Sequence, residues 1–213
     1  MRRRFTLVAL PILMIAGATY ALGYSTLFTV SSVEIIGSRS NVNPGVIKGE
    51  KLARIQPKVI ATKFENLAWV KKAEVSRDWI SGKVTVRILE RTPVALYNGK
   101  AFDVEGKSFQ LQNANRSDLI QIQAIDATSA LKAVDLINSL DSQLSQTLKS
   151  IKVQNSGSLD LQLAQGERIL EVKWGINSEN ELKTRVYQRI LALPENNKIT
   201  KIDLSAPHAP IVN

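Results

Sequence analysis

Few residues of this 213-residue chain could support catalysis. The only histidine, His208, lies between Pro207 and Pro210, which is a poor setting for a preorganised general base. Asp103 comes just before the turn signal Glu105-Gly106, where an aspartate more often caps a turn than reacts. A pair of carboxylates that hydrolyses sugars stays open as an alternative, because the distance between the two groups in the folded protein decides whether they can catalyse that reaction.

Other reactive groupings are missing from the sequence. There is no cysteine, no cluster of metal-binding side chains, no glycine loop that binds phosphate and no Gly-x-Ser-x-Gly elbow. We therefore predict no catalytic residue, no metal site and no cofactor, in a protein that is not an enzyme. A membrane-anchored or secreted hydrolase that acts on cell wall is the alternative.

Composition restricts the class of partner. Apolar residues make up 44% of the chain, which is enough for a packed core, and the formal net charge is +9. That charge suits anionic lipid or cell wall. The basic residues are scattered and have no aromatic platform beside them, so we predict neither a nucleic acid nor a small molecule as ligand.

The N-terminus has the pattern of a membrane anchor. Arg2, Arg3 and Arg4 precede an uncharged stretch from Phe5 to Leu22. Its length predicts a transmembrane helix over residues 5–24, and the arginines predict a cytoplasmic tail of residues 1–4 and an exported C-terminal part. The small residues Ala16-Gly17-Ala18 also fit a cleaved signal peptide, and the residues alone leave both interpretations open.

The clearest element is a hairpin between Leu67 and Val94. Apolar and polar residues alternate before and after the turn Ile80-Ser81-Gly82, which predicts two paired strands with one buried face. Its residue types are also specific. The motif positions are Trp69, Val70, Ala73, Val75, Arg77 and Trp79, then Val84, Val86, Ile88, Glu90, Arg91, Pro93, Val94 and Ala95.

This motif resembles the end of the POTRA domain in bacterial division proteins of the FtsQ/DivIB family. The family usually has proline where this chain has Ile80, and its first strand is similar to Phe28–Gly37. The resemblance implies a POTRA domain over residues 26–94 with the order β-α-α-β-β. The residues predict its first helix at Asn43-Pro44, ending near Gly49, and its second from Pro57 to about Leu67. Ile60, Phe64, Leu67 and Ala68 are its predicted apolar stripe.

Residues 95–207 predict a second domain of mixed α/β structure with an antiparallel sheet, followed by a tail of residues 208–213. The overall class is α+β. We expect short strands on both sides of Asn98-Gly99, a strand over Leu119–Ile125 and a helix over Thr128–Leu140. The other expected elements are strands at 159–163 and 170–174, a helix from a Ser178–Glu181 capping box to Leu193, and a last strand at Ile199–Ser205. The expected stripe of that helix is Leu182, Val186, Ile190 and Leu193.

The resemblance also implies a function and a location. Family members are scaffolds at the division septum, held in the cell membrane by one N-terminal span. They link early division proteins, recruited through the POTRA domain, to FtsB/DivIC-like and FtsL-like partners and to septal peptidoglycan synthesis. The expected contact is strand addition at the last strand, here Lys201, Ile202, Asp203, Leu204, Ser205 and Ala206. Proteobacterial members have Arg-Tyr where this chain has Ser205-Ala206.

Overall fold

The computed structural model describes residues 2–23, 28–38, 42–111, 116 and 118–213, and within the first helix it describes side chains only for residues 10–20. That helix, α1, covers Arg2–Gly23. Among the described residues, no helix has both the length and the apolar character that a membrane crossing needs. The predicted anchor includes Tyr24, and the predicted tail includes Met1; both residues lie outside the described ranges.

The chain forms two compact units, an N-terminal unit of residues 1–91 and a C-terminal unit of residues 92–213. The N-terminal unit has a three-stranded sheet in the order β1-β3-β2, in which β1 runs parallel to β3. Its elements after α1 are β1 Ser32–Ile36, a 3-10 helix Leu52–Arg54, α2 Pro57–Glu65, β2 Val70–Arg77 and β3 Lys83–Glu90.

The predicted hairpin is confirmed. Strands β2 and β3 pair antiparallel from Arg77↔Val84 to Val70↔Glu90, with a register shift near Lys72. Val84, Val86 and Ile88 are buried on one face of β3, as their alternation indicates. They form one core with Ile60 and Phe64 of α2.

The predicted first helix, from Asn43-Pro44 to Gly49, is wrong. Asn43 Oδ1 accepts a hydrogen bond from Gly45 N (2.9 Å), and Gly45 and Gly49 both have positive φ. A left-handed residue breaks the helical hydrogen-bond pattern, so the segment turns instead. Gly49 N then donates to Val30 O, which holds the segment against the start of the sheet. The observed order is strand, 3-10 helix, helix, strand, strand.

The predicted second helix is confirmed over Pro57–Glu65, but its stripe is only half right. Ile60 and Phe64 are buried, whereas Leu67 is 38% exposed. Ala68 is exposed as well. The helix ends at Glu65 with Asn66 as its C-cap, so the last two residues of the stripe lie beyond the helix and do not share its face.

Arg77 holds the 3-10 helix against β2. Its Nη1 donates to Leu52 O (2.8 Å) and to Ile55 O (2.6 Å). Arg77→Ala removes both charged hydrogen bonds, so we expect the free energy of unfolding of the N-terminal unit to fall by about 1–3 kcal/mol in urea denaturation. Arg87→Ala, on the exposed side of the same hairpin, is the control and should change it by less than about 0.5 kcal/mol. Equal effects of the two variants would contradict this role.

The C-terminal unit contains a nine-stranded sheet in the order β12-β11-β10-β9-β8-β7-β4-β5-β6. The pairs β4/β7, β7/β8 and β10/β11 are parallel, so the sheet is mixed and the prediction of an antiparallel sheet is wrong. The strands are β4 Ala95–Tyr97, β5 Lys100–Phe102, β6 Ser108–Gln110, β7 Ile120–Gln123, β8 Leu148–Val153, β9 Leu159–Gln165, β10 Arg168–Gly175, β11 Lys201–Asp203 and β12 Ile211–Val212.

In the described part of the C-terminal unit, three α-helices accompany this sheet: α3 Ala127–Ser139, α4 Ser142–Thr147 and α5 Asn180–Ala192, with a 3-10 helix Pro194–Lys198 after α5. Their apolar sides and the alternate buried residues of the strands form a single core. The turn Asn98-Gly99 joins β4 to β5 with positive φ at both residues, as the Asn-Gly pair predicts. Strand β8 and helix α4 are elements that the sequence did not indicate.

The start of α5 differs from the predicted capping box. The N-cap residue is Glu179, which is left-handed (φ 53°), and its side chain makes no capping hydrogen bond. The buried face of α5 is also rotated from the predicted stripe. Tyr187 and Ile190 are buried together with Lys183, whereas Leu193 is 46% exposed.

Candidate functional site

The predicted partner-binding residues lie together at one end of the nine-stranded sheet. Strand β11 runs parallel to β10, with Ile202 opposite Val172 and Asp203 opposite Lys173. The backbone continues this pairing by one residue, because Leu204 N donates to Lys173 O (2.8 Å). All six predicted residues therefore lie on the strand next to the border of the sheet and in the turn that leaves it.

Burial divides these six residues into two sets. The side chains of Ile202 and Leu204 are completely buried in the core of the C-terminal unit. Lys201, Ser205 and Ala206 are exposed and Asp203 is partly exposed. Alternation along a strand gives this division. The buried pair fixes the strand in place, and the other four residues are accessible to a ligand.

Asp203 organises the accessible side. Its carboxylate accepts hydrogen bonds from Lys173 Nζ (3.0 Å) and from Ser205 N (2.9 Å). Partial burial raises the pKa of this carboxyl, but the hydrogen bonds from Ser205 and the hydrogen bond and charge of Lys173 outweigh burial and lower the pKa below its usual value. Asp203 is thus ionised at neutral pH and holds the turn after β11.

The outer side of β11 is occupied by the end of the same chain. Strand β12 pairs antiparallel with β11, with Ile202 opposite Val212 and Asp203 opposite Ile211. Asn213 N donates to Lys201 O (3.0 Å), and Lys201 N donates to Asn213 O (3.1 Å). The prediction that Ile199–Ser205 is the last strand is therefore wrong. A two-residue strand flanked by Pro210 gives no alternation signal.

A buried aromatic–lysine pair supports this end of the sheet from the core side. Trp174 of β10 is completely buried, and its Nε1 donates to Asn180 Oδ1 (2.9 Å). Lys183 of α5 is 1% exposed and its Nζ lies 5.8 Å from the centre of the Trp174 ring. That ammonium donates to Ile176 O (2.8 Å), and burial lowers its pKa below the usual value. The burial of Lys183 is a feature that only the structure shows.

The close approach of Gly175 to β11 limits the shape of the site. Gly175 has a φ of +77°, and a Cβ atom there would lie 2.9 Å from Ser205 Cα. Any side chain at this position would strain the backbone and push the turn after β11 outward. The glycine thus lets the end of β10 lie directly against the predicted partner-binding segment.

The solvent side of the same strands forms an open polar trough of about 550 Å³. Lys201 Nζ lies 3.8 Å from Glu171 Oε2 in this trough. The neighbouring Asp160 accepts a hydrogen bond from Gln154 Nε2 (2.5 Å). Both carboxylates are thus engaged by neighbouring side chains, as in a ladder of cross-strand polar pairs. The trough gives no support to the alternative of a hydrolase.

Asp103 and His208, the two residues considered for acid–base chemistry, do not line this trough. Asp103 is 3% exposed, and its Oδ1 accepts hydrogen bonds from Glu105 N (3.0 Å) and Lys107 N (2.8 Å), so it caps the turn before β6. His208 is exposed, with its Nε2 3.7 Å from Glu179 Oε1. Within the described ranges, no three His, Cys, Asp or Glu side chains are grouped closely enough to hold a metal ion.

The sequence is similar to sequences of known proteins over most of its length. The chain is 26% identical to a cell division protein FtsQ of Streptomyces venezuelae, over 93% of the chain and 79% of that relative. It is 24% identical to a cell division protein FtsQ of Thiomonas arsenitoxydans, over 97% of the chain and 82% of that relative. A family model described as cell division protein FtsQ/DivIB, C-terminal, matches residues 95–205, which are more than half of the chain and include β4 to β11. The chain therefore belongs to the FtsQ/DivIB family of cell division proteins.

Proposed function

We propose that this protein is a non-enzymatic scaffold of the bacterial division machinery. It links early division proteins to FtsB/DivIC-like and FtsL-like partners and, through them, to septal peptidoglycan synthesis. The observation that carries the proposal is the match of the FtsQ/DivIB C-terminal family model to residues 95–205, which include β4 to β11. The family membership supports a role in division, and the shape of this sheet border supports a role in binding.

The partner binds by strand exchange at β11. An extended segment of the partner takes the place of β12 and pairs with residues 201–206, so that backbone hydrogen bonds give affinity and neighbouring side chains give specificity. Two features support this mechanism. β12 is only two residues long, and its side chains are largely exposed, with Ile211 at 59% and Val212 at 38%. The strand beneath it is held in the core by the buried side chains of Ile202 and Leu204.

The remaining segments have supporting roles in the proposal. The uncharged stretch Phe5–Leu22 after three arginines supports a single N-terminal membrane anchor, with the rest of the chain outside the cytoplasm at the septum. The N-terminal unit, with its hairpin and POTRA-like motif, recruits other division proteins. The departure at Ser205-Ala206 removes the aromatic anchor of proteobacterial members, so backbone pairing carries a larger share of the partner contact here.

Site-specific cross-linking tests the position of the partner. The chain has no native cysteine, so Lys201→Cys gives a single thiol on the proposed border. The full-length variant is mixed with exported segments of the FtsB/DivIC-like and FtsL-like proteins, each with one cysteine. We expect a disulfide-linked product with one of these segments under mild oxidation, since paired strands place such side chains about 4.5–5.5 Å apart.

The matched control is Gln110→Cys, an exposed residue on β6 at the opposite border of the same sheet. It should give no linked product with the same segments. Linking at Gln110 in place of Lys201 would move the binding site to the other border. A lack of binding by both partner segments, measured without oxidant, would contradict the proposed link to septal synthesis.

A further inference from the structure

The tip of the β2–β3 hairpin presents the most exposed large apolar side chain among those that the structure describes. Ile80 is 100% exposed, and its neighbour Trp79 is 36% exposed. Scattered apolar side chains are normal on protein surfaces, so exposure alone indicates no ligand. This tip is in addition held rigid by hydrogen bonds, and it is bonded to the segment that follows the N-terminal apolar stretch.

The tip is a fixed structure. Asp78 Oδ1 accepts hydrogen bonds from Ile80 N (2.9 Å) and Ser81 N (3.2 Å), and Gly82 N donates to Asp78 O (3.0 Å). The one carboxylate of the tip is therefore turned into the loop, where hydrogen bonds from the loop stabilise it. The Arg77 guanidinium lies 5.1 Å from the centre of the Trp79 ring, which holds the indole in place. Ile80 is thus held outward beyond a positioned aromatic ring.

The tip is also tied to the chain segment that follows the N-terminal apolar stretch. Ser31 N donates to Gly82 O (2.8 Å), and Ser31 Oγ donates to Ser81 O (2.6 Å). The ring of Phe28 meets the ring of Trp79 edge-on, with their centres 6.1 Å apart. Only three residues lie between Tyr24 and Phe28. The four steps from one to the other span at most about 14 Å when the chain is fully extended. The tip must therefore lie near the end of an anchor at residues 5–24.

We propose that the hairpin tip, formed by Trp79 and Ile80 with Phe28 beside them, inserts into the interfacial layer of the membrane that holds the N-terminal segment. The inference rests on the membrane anchorage in the proposed function. Indole rings favour the boundary between headgroups and acyl chains, and an apolar side chain beyond the ring reaches the acyl region. Isoleucine, where the family usually has proline, supplies that side chain. The contact gives the N-terminal unit a fixed orientation on the bilayer.

Depth-dependent quenching tests this contact in the full-length protein. A single Ile80→Cys variant is labelled with an environment-sensitive fluorophore and reconstituted into phosphatidylethanolamine–phosphatidylglycerol vesicles that carry nitroxide lipids. The matched control is Leu89→Cys, an exposed apolar position (55%) on β3 of the same hairpin. It lies about 20 Å from the tip along the strand. We expect several-fold stronger quenching, and a larger blue shift, for the label at position 80.

Flotation of the same vesicles separates the two ways in which the inference can fail. In one outcome the protein floats with the vesicles while the label at position 80 is quenched no more than the label at position 89. That result overturns the tip contact and leaves the anchor intact. Protein that does not float overturns the anchorage, and the tip contact with it. Strong quenching at position 80 that is lost when Trp79→Ala is added supports insertion of the tip as one unit.

Discussion

Deletion of residues 208–213 is expected to tighten binding of the partner segment about 5- to 30-fold, if the partner pairs with β11 in place of β12. The outer side of β11 is occupied in the free protein, with Asp203 paired to Ile211 and Lys201 exchanging hydrogen bonds with Asn213. A partner that uses the same backbone groups must first release this short strand. Its apparent affinity is therefore lowered by the fraction of molecules in which β12 is detached.

The size of the effect follows from the weakness of β12. Each backbone hydrogen bond stabilises a protein by only about 0.5–1.5 kcal/mol net, and the ordering of the tail residues opposes that gain. A net stability of about 1–2 kcal/mol for β12 corresponds to the expected 5- to 30-fold change. Isothermal titration of the truncated and full-length chains with the partner segment measures it. Urea denaturation of both proteins shows whether the C-terminal unit keeps its stability.

Two point variants separate release of β12 from loss of the tail. Ile211→Pro removes one N–H from the strand without shortening the chain, so it should also tighten binding. Val212→Thr keeps the N–H and the branched shape and should leave the affinity unchanged. Weaker binding after deletion would mean that the partner adds to β12 itself, and an unchanged affinity would place the contact elsewhere on the protein.

The elements that the sequence predicted well are those in which one strong pattern decides the structure. The hairpin is such a case, because Val84, Val86 and Ile88 alternate without interruption and all three are buried. The turn at Asn98-Gly99 is another, since both residues adopt the positive φ that the Asn-Gly pair favours. In both cases the local preference of the residues agrees with the conformation in the folded protein.

The predictions failed where tertiary contacts or irregular pairing override a local signal. Strand β8 was missed because its register shifts between Leu148 and Ser150, so its buried residues, Leu148, Ile151 and Val153, do not keep a period of two. The capping box at Ser178 failed because the Asn180 side chain, at the first residue of α5, donates hydrogen bonds to Ser139 and Asn177 and accepts one from Trp174. These partners are distant in the chain or lie outside the expected helix, and the sequence does not show that they meet.

For the candidate site, the sequence located the strand but not its surroundings. Alternation around Asp203 predicts that Ile202 and Leu204 face the core, and both are completely buried. Nothing in the residues at 208–213 indicates that they return to cover the strand, because a two-residue pairing depends on a free border that only the folded sheet provides. Only the structure shows that β12 covers the outer side of β11, and the proposal of strand exchange depends on that pairing.

Trp174→Ala is expected to lower the free energy of unfolding of the C-terminal unit by about 3–5 kcal/mol, as for other buried aromatic side chains cut back to alanine. The indole is completely buried, and the variant leaves a cavity beside the buried ammonium of Lys183. It also removes the Nε1 hydrogen bond to Asn180. Domains are commonly stable by only about 5–15 kcal/mol, so this loss consumes a large part of the stability.

The effect should extend to partner binding, because Trp174 lies on β10 and β11 pairs directly with that strand. Urea denaturation with circular dichroism measures the shift of the transition midpoint, and the same titration as for the truncated chain measures binding. Trp174→Phe keeps a six-membered aromatic ring in the core and should cost less than Trp174→Ala, although it loses the hydrogen bond and part of the buried ring. Trp79→Ala, at a 36% exposed tryptophan of the N-terminal unit, should leave partner binding unchanged. If Trp174→Ala were no more destabilising than Trp79→Ala, β11 would not depend on this core, and its role as a fixed platform for strand exchange would have no physical basis.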